Sequence, residues 1–219
     1  MIKENIDRVR ARIHEVCSKV KVDPEKITIV CVVKGRQVEQ ILEAVNFGLN
    51  NIAENRVQEA LAKHQQISDV HWHMLGHLQS NKVRAAVKIF DLIHSVDSLE
   101  LAQEINQQAL KINKIQDVLL EVKTSAEVTK FGFVPEVLAA AVSKIMQFKN
   151  INIKGLMTIA ALTSSAQESR PYFSQLGQLR EKLNPDWLLS MGMSDDFCVA
   201  IEEGANIIRL GRAIFQDYV

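Results

Sequence analysis

The sequence predicts an α/β fold: a single (β/α)8 barrel, or TIM barrel, with one extra helix at its N-terminus. Three observations support this prediction. The chain has 219 residues, enough for one barrel or two small domains. Eight short apolar runs recur along it, each the length of a buried parallel strand. Segments with helical periodicity separate these runs, and such alternation indicates a parallel sheet surrounded by helices.

The candidate strands are rich in β-branched and other apolar residues. They are Ile27–Val33, Asn51–Ala53, Trp72–Leu75, Leu92–Ser95, Asp117–Val122, Ile153–Ile159, Trp187–Met191 and Asn206–Leu210. Parallel strands covered on both faces have nearly continuous apolar runs of this kind. An open, doubly wound sheet remains the alternative, because periodicity does not show whether the sheet closes into a barrel.

The segments between the strands carry apolar residues on one helical face. Such stripes occupy Val38–Phe47, Leu99–Ile112 and Val137–Phe148. Asp97 or Ser98 is suited to cap the second of these helices, and Pro135 suits the first turn of the third.

Glu4–Val20 is predicted to form the extra helix. Only residues 212–219 follow the eighth strand, too few for a full closing helix, so we expect the extra helix to cover that gap. No linker or internal repeat stands out, and residues 1–219 are therefore predicted to form one domain.

Composition excludes several classes of protein. The 26 Lys and Arg residues balance 26 Asp and Glu residues, which argues against a dedicated nucleic-acid binder. The longest strongly apolar run, Ile27–Val33, is too short to span a bilayer, and the N-terminus lacks the apolar centre of a signal peptide. Cys17, Cys31 and Cys198 lack paired spacing and indicate reduced core thiols. We expect a cytoplasmic protein that binds neither nucleic acid nor membrane.

Functional residues of such barrels lie at the C-terminal ends of the strands. Lys34 closes the first strand. At the end of a buried strand its ammonium form loses solvation, which favours the neutral amine that Schiff-base chemistry with an aldehyde requires. A solvated lysine that caps the strand is the alternative.

The segment SMGMSDD, Ser190 to Asp196, lies at the end of the seventh strand. Its hydroxyls and backbone N–H groups suit a phosphate, and Gly211 allows close backbone approach in the loop after the eighth strand. The alternative is an ordinary helix cap formed by Ser194 or Asp195. Arg209 lies in the otherwise apolar NIIRLG, so it must either pair with a barrel carboxylate or face a ligand.

Histidines flank Trp72 in the third strand. His71 and His73 could both bind zinc, but a third ligand would have to be His94 or a distant carboxylate, and no motif supplies it. A packed histidine beside an exposed one is the favoured interpretation. His77, at the strand end, is the better candidate for a functional histidine. The alternative is a loop residue bonded to the backbone.

With these strand ends aligned, essentially the whole chain resembles the pyridoxal phosphate homeostasis protein family. The resemblance rests on VVK at Lys34 and on several longer motifs in the family's order and spacing. These motifs are AENRVQEA (Ala53–Ala60), HWHMLGHLQSNK (His71–Lys82), KFGF (Lys130–Phe133), GLMTI (Gly155–Ile159), LSMGMSDD (Leu189–Asp196) and IRLGRAIF (Ile208–Phe215).

The resemblance implies a barrel similar to the N-terminal domain of alanine racemase. It also implies pyridoxal 5′-phosphate (PLP) as cofactor, held as an internal aldimine on Lys34. Arg209 would face the pyridine nitrogen, where a fixed positive charge disfavours ring protonation and weakens the cofactor as an electron sink. The remaining implied contacts are Ser190, Met191, Ser194 and the backbone N–H groups of Gly211 and Arg212 to the phosphate, and Asn55, His77 and Met157 around the ring.

The sequence departs from the family pattern at three places. The family usually continues its lysine as Lys-Thr with a proline nearby, whereas Gly35-Arg36-Gln37 follows here. Ala53 stands where a glycine is usual, and the terminal Phe-Gly is Phe215-Gln216. The first departure bears on the shape of the loop beside Lys34. The second adds a methyl group near the pocket.

A racemase also needs a second base on the opposite face of the substrate carbon. The family relation implies that in the related racemase this base is a tyrosine from an additional β domain of the partner subunit. Tyr172 and Tyr218 lie at no predicted strand end here, and no residues remain for another domain. We therefore expect a monomer that holds, buffers or delivers PLP to apo-enzymes without substantial catalysis. A weak PLP-dependent amino-acid racemase is one alternative, and a phosphate-binding or metal-dependent barrel enzyme without PLP is another.

Overall fold

The computed structural model describes residues 1–125, 127 and 131–216. Within them, eight parallel strands form one closed barrel in chain order. The strands are β1 (Thr28–Val32), β2 (Asn51–Glu54), β3 (His71–Met74), β4 (Leu92–Val96), β5 (Gln116–Glu121), β6 (Ile151–Met157), β7 (Leu188–Ser190) and β8 (Ile207–Leu210). The barrel closes where Thr28 to Cys31 of β1 pair with Ile207 to Leu210 of β8. The predicted barrel is confirmed, and the open-sheet alternative is wrong.

Helices surround the barrel between successive strands. They are α1 (Ile2–Val20), α2 (Val38–Asn46), α3 (Val57–His64), α4 (Val83–Ile89), α5 (Leu99–Leu110), α6 (Pro135–Ile145), α7 (Arg170–Leu183), α8 (Phe197–Glu202) and α9 (Arg212–Phe215). Ser98 caps α5, because its hydroxyl accepts a hydrogen bond from the Leu101 N–H at 3.2 Å. Pro135 occupies the first turn of α6, as predicted.

Two apolar layers hold the barrel. A small cluster comprises Val30, Ala53, Leu92, Leu119, Met157 and Ile207, one residue from each of six strands. The alternation of side chains along a strand assigns this cluster to the barrel interior. A much larger cluster lies between the strands and the helices and continues into α1. Burial of this second layer supplies most of the apolar area that stabilises the fold.

The first helix closes the structure beside the last strand. Ile6, Val9 and Ile13 form its buried stripe, and α1 packs against α8 and α9. The Asn5 side-chain amide donates to the Ile214 carbonyl at 3.1 Å and to the Gln216 carbonyl at 2.8 Å. These contacts confirm that α1 covers the gap left by the short segment after β8.

The three cysteines are free thiols. Cys17 and Cys31 are buried, and Cys198 is half-buried. Burial raises the pKa of the Cys31 thiol to about 12, so this thiol is protonated and inert at neutral pH. The prediction of core cysteines is confirmed for Cys17 and Cys31, whereas Cys198 is only half-buried. Among the described helices, none has the length and apolar character that a membrane crossing requires.

Candidate functional site at the mouth of the barrel

Lys34 lies two residues beyond β1, in a turn that the Arg36 N–H closes on the Val33 carbonyl at 3.1 Å. Gly35 has a φ of +69°, which suits the third position of such a turn and which glycine adopts at low cost. Lys34 is exposed in this turn. The expectation that Lys34 is desolvated at the end of a buried strand is therefore wrong.

A buried ion pair supports this turn from below. Lys63 of α3 pairs with Glu54, the fully buried last residue of β2. Lys63 Nζ also donates to the Val33 carbonyl at 2.9 Å, and Glu54 Oε2 accepts from the Asn55 N–H at 3.1 Å. The pair thus fixes the backbone beside both Lys34 and Asn55. Sequence reasoning missed it, although a Lys in the last turn of a helix and a Glu closing an apolar strand were visible.

Arg209 is the buried cation of the site, with only 5% of its surface exposed. Nη1 donates to Ser190 Oγ at 2.8 Å, and Nη2 donates to the Thr158 carbonyl at 2.8 Å. Burial lowers the pKa of the guanidinium to about 10, whereas the charges of Asp196 and Glu121 act in the opposite direction. Arg209 therefore stays charged at neutral pH. The hydrogen bonds described for it join the ends of β6, β7 and β8.

Ser190, the last residue of β7, is completely buried. Its hydroxyl also contacts His94 Nδ1 at 2.9 Å. Met191 follows, and its N–H donates to the Ile207 carbonyl at 3.1 Å while its side chain packs in the outer core. The N–H and the side chain of Met191 are therefore both engaged in contacts within the barrel. As a phosphate contact, Met191 stays a prediction that these contacts do not favour.

The loop after β7 turns sharply at Gly192, where φ is +89° and an added Cβ would lie 2.5 Å from Ala200 Cβ. Ser194 Oγ accepts from the Ala213 N–H at 3.1 Å and so joins this loop to α9. Asp196 precedes α8 as its cap residue, and its carboxylate accepts from the Met193 N–H at 2.7 Å. The alternative of a cap at Ser194 or Asp195 is wrong, because Ser194 binds α9 and Asp195 pairs with Arg212.

Gly211 and Arg212 begin α9 directly after β8. An added Cβ on Gly211 would lie 3.4 Å from the Val32 carbonyl oxygen of β1. The β8 loop therefore approaches the strand that leads to Lys34. The Arg212 side chain is exposed and pairs with Asp195, so it links the loops after β7 and β8 at the rim.

His77 lies at the rim between β3 and β4. Its Nδ1 is 2.9 Å from Asp97 Oδ2, and its ring stacks on Phe131 with centroids 3.7 Å apart. The expected alternative, a bond to the backbone, is wrong, because the partner is a carboxylate. Of the two residues offered as the cap of α5, Ser98 is the cap, and Asp97 contacts this histidine. Of the motif KFGF, Lys130 lies outside the described residues.

Asn55 and His77 line one cavity of about 350 Å³, together with Met74, Arg56 and Lys82. Met157 ends β6 and belongs to the inner apolar cluster. The described structure thus brings the predicted residues to the same end of the barrel, and Met157 forms part of its apolar floor.

Glu121 is a further group that sequence reasoning did not identify. It ends β5 and is buried. Burial raises the pKa of its carboxyl to about 7, the negative charge of Asp97 adds to the rise, and Arg209 opposes it. A buried carboxyl that titrates near neutrality beside Arg209 can hold a proton at this end of the barrel.

The histidines of β3 behave as a packed residue beside an exposed one. His71 is exposed, whereas His73 is buried and contacts His94 Nε2 through Nδ1 at 2.9 Å. Within residues 1–125, 127 and 131–216, no group of three or more His, Cys, Asp or Glu residues is arranged to hold a metal ion.

Known proteins are similar to this chain in both sequence and fold. The family model described as alanine racemase, N-terminal domain, matches residues 1–219. The pyridoxal phosphate homeostasis protein of Aquifex aeolicus is 40% identical, over 98% of this chain and 97% of its own. The protein of that name from Pseudomonas aeruginosa is 38% identical, over 99% and 96%.

Solved structures agree. PipY of Synechococcus elongatus with PLP bound has a TM-score of 0.84 and 35% identity, covering 98% of this chain and all of that one. An alanine racemase of Clostridium difficile has a TM-score of 0.78 at 17% identity, over 99% of this chain and 59% of that one, and shows the fold alone. With the racemase-like barrel, the family match over residues 1–219 and relatives at 40% and 38% identity, the chain belongs to the pyridoxal phosphate homeostasis protein family.

Proposed function

We propose that this protein binds PLP at the mouth of the barrel, covalently through Lys34, and holds and delivers it inside the cell. The observation that carries the proposal is the convergence of an exposed amine, a buried cation and two serine hydroxyls at the ends of β1, β7 and β8. Relatives named for PLP homeostasis, and a neighbour with PLP bound, support it.

The residues present suit the chemical groups of PLP. Lys34 Nζ would bond to the aldehyde carbon with loss of one water, and exposure gives the amine access. Ser190, Ser194 and the N–H groups of Gly211 and Arg212 would hold the phosphate, with Met191 packed next to Ser190. Asn55, His77 and Met157 would surround the ring. Bound PLP supplies a reactive aldehyde and an electron-withdrawing ring.

Arg209 sets the limit on that chemistry. Its guanidinium would face the pyridine nitrogen, and it remains charged because its lowered pKa of about 10 is still above neutral pH. A fixed cation there disfavours a protonated ring nitrogen. The binding role is favoured over racemase activity for this reason. Of the two tyrosines considered as a second racemase base, Tyr172 lies on α7 and not at a strand end. Tyr218 is not among the described residues.

The covalent link is tested by borohydride reduction followed by peptide mass spectrometry. PLP should produce an absorbance band at the violet edge of the visible spectrum, and reduction should fix the pyridoxyl mass on Lys34. Lys34→Ala should lose both signals. The matched control is Lys26→Ala, an exposed lysine just before β1, which should keep them. A band that survives in Lys34→Ala contradicts the assignment.

The binding role itself is tested by turnover and transfer. Amino acids incubated with the loaded protein and separated on a chiral column should show no Lys34-dependent racemisation, and a PLP-dependent apo-enzyme should regain activity when mixed with it. We propose that the protein works as a cytoplasmic monomer of one domain, residues 1–219. Light scattering of the loaded protein checks the oligomeric state. Racemisation lost in Lys34→Ala would overturn the binding role in favour of an enzyme.

A further inference from the structure

A continuous chain of side-chain hydrogen bonds runs through the barrel. Arg209 Nη1 lies 2.8 Å from Ser190 Oγ, which lies 2.9 Å from His94 Nδ1. His94 Nε2 lies 2.9 Å from His73 Nδ1, and His73 Nε2 lies 3.1 Å from Asn51 Oδ1. Five side chains from five strands are thereby connected. We refer to them as the histidine relay.

The relay connects the two ends of the barrel. Ser190 is the last residue of β7, at the mouth, whereas Asn51 is the first residue of β2, at the opposite end. Ser190, His94, His73 and Arg209 are all buried. Buried polar groups are costly unless they are hydrogen-bonded, so the positions of the hydrogens along the relay are strongly constrained.

Both histidines are neutral at pH 7. Burial lowers the pKa of His73 to about 4 and holds the pKa of His94 well below its usual value. Each imidazole therefore carries one hydrogen, and one of its nitrogens donates while the other accepts.

The end groups fix the direction of the relay. Arg209 has donors only, so Ser190 Oγ accepts from it. Asn51 Oδ1 accepts, so His73 carries its hydrogen on Nε2 and accepts at Nδ1. His94 then donates from Nε2, and its Nδ1 accepts the Ser190 hydroxyl hydrogen. This single arrangement satisfies every contact between the heavy atoms as they lie.

A phosphate at Ser190 makes the opposite demand. A phosphate oxygen without a hydrogen accepts only, so a contact with Ser190 takes the hydroxyl hydrogen away from His94. Two lone pairs, on Ser190 Oγ and His94 Nδ1, would then face each other at 2.9 Å. Ser190 Oγ still accepts from Arg209, but the buried His94 Nδ1 is left without a hydrogen and faces a lone pair, which is unfavourable.

We propose that His94 and His73 are positioning residues whose relay reverses direction when Ser190 donates to a phosphate group. In the reversed relay His94 Nδ1 donates to Ser190 Oγ, His73 Nδ1 donates to His94 Nε2, and the Asn51 amide turns so that its nitrogen donates to His73 Nε2. The inference rests on the proposed function, because it takes the phosphate contact of Ser190 from it.

The hydrogen count is the same in both directions. Each imidazole loses its Nε2 hydrogen and gains one on Nδ1 by exchange with water, and Ser190 keeps one hydroxyl hydrogen throughout. Arg209 donates to Ser190 in both states, so the guanidinium stays in place. The relay thus lets Ser190 serve the phosphate without leaving any described member of the relay unpaired.

The test is nitrogen-15 NMR of the full-length protein labelled at histidine. Correlations between the ring nitrogens and ring hydrogens distinguish the Nε2–H from the Nδ1–H tautomer. In phosphate-free buffer we expect Nε2–H for both His73 and His94. On addition of inorganic phosphate, and separately of PLP, we expect Nδ1–H for both.

Matched serine variants isolate the trigger. Ser190→Ala should lose the tautomer change. Ser169→Ala, at another buried serine whose hydroxyl contacts Thr163, should keep it. The unmodified protein already decides the question if Ser190→Ala does not fold.

The outcomes separate the relay from the proposed function. Nε2–H tautomers that persist while the PLP band forms on Lys34 overturn the relay and leave the function standing. Nδ1–H or mixed tautomers in phosphate-free buffer also overturn the relay. Reversal by phosphate without a PLP band supports the relay and overturns covalent PLP binding. If neither phosphate nor PLP changes the tautomers and no PLP band forms, both the relay and the proposed function are overturned.

Discussion

Lys63 Nζ donates a 2.9 Å hydrogen bond to the carbonyl of Val33, the residue just before Lys34. The same ammonium pairs with Glu54, which is wholly buried. One side chain of α3 thereby holds the turn that carries the candidate PLP lysine. Its charge is balanced inside the protein and not by solvent, so its removal should be felt both in stability and at the site.

We expect Lys63→Met to destabilise the protein by about 3 kcal/mol, because it leaves the Glu54 carboxylate buried without its cation. Urea denaturation measures the change. Lys144→Met, an exposed lysine also in the last turn of a helix, should stay within about 0.5 kcal/mol of the parent. The double variant Glu54→Gln, Lys63→Met should recover part of the loss. An unchanged midpoint for Lys63→Met alone would show that the pair does not stabilise the fold.

Two glycine substitutions should have opposite signs. Gly192→Ala places a methyl group 2.5 Å from Ala200 Cβ at a φ of +89°, and we expect a loss of about 1–3 kcal/mol. Gly177→Ala lies inside α7, where the nearest atom to an added Cβ is 3.5 Å away. It should stabilise the protein by about 0.5–1 kcal/mol, through better helix propensity. Thermal unfolding of both variants checks the contrast, and a stable Gly192→Ala would contradict the described loop.

Glu121 should make the protein less stable as pH rises. Its folded pKa, raised to about 7, exceeds the unfolded value of about 4.3. Between these values the native state holds a proton that the unfolded state has released, so its contribution declines with rising pH and levels off above about pH 7. Relative to the parent, Glu121→Gln should gain roughly 2–3 kcal/mol between pH 4.5 and pH 7.5.

Urea midpoints of the two proteins across this range test the prediction. Glu136→Gln, at an exposed position on α6, serves as the control and should differ from the parent by a constant amount. A constant difference for Glu121→Gln as well would show that Glu121 does not titrate abnormally.

The buried histidines should make stability fall in acid. Burial lowers their pKa values in the folded protein, to about 4 for His73 and well below the usual value for His94. Below about pH 6.5 the unfolded chain therefore gains protons that the native state refuses, and stability decreases as pH falls. Each histidine contributes a slope of up to about 1.4 kcal/mol per pH unit.

His73→Gln should remove one of these two contributions between pH 4.5 and pH 6. His71→Gln, two residues away and exposed, should leave the slope as it is. Denaturation midpoints at several pH values measure both. Equal slopes in the two variants would mean that folding does not lower the pKa of His73.

The barrel could be predicted from sequence because the strands are recognisable from their local sequence. ITIVCVV and DVLLEV are apolar runs of strand length, and the helical stripes between them follow from period alone. Arg209 could be identified as a site candidate for a similar reason. A charged side chain inside an apolar strand is costly to bury unless it has a partner or a ligand. The strand ends were predicted less accurately: the sequence extends the first strand to Val33, whereas β1 stops at Val32.

That small difference explains the error at Lys34. Lys34 lies two residues beyond the end of β1, in a turn where Gly35 adopts the left-handed region, and so it is not part of the barrel wall. Neither the last residue of a strand nor the type of the following turn can be predicted from hydrophobicity alone. The sequence offered Asp97 and Ser98 as alternative caps, because a cap and a partner for a distant histidine have the same local sequence. Ser98 is the cap, and His77 contacts Asp97. Only the folded chain brings His77 to it.

The histidine relay was also not predicted from the sequence. His94 and Ser190 are 96 positions apart, so no spacing rule connects them. A usable signal did exist: two consecutive predicted strands each contained an interior histidine, His73 and His94. The parallel pairing of β3 with β4 brings these residues together, and a buried histidine without a partner would be costly.

The position of α1 has a consequence for how the chain is made. Its stripe of Ile6, Val9 and Ile13 is synthesised before every strand of the barrel, but it packs against α8 and α9, which are synthesised after β7 and β8. The same delay applies to β1, whose partner β8 is synthesised after the seven other strands. Until β8 is made, the nascent chain therefore carries an uncovered apolar helix and an unpaired strand edge. This period is when it is most open to aggregation and to capture by chaperones.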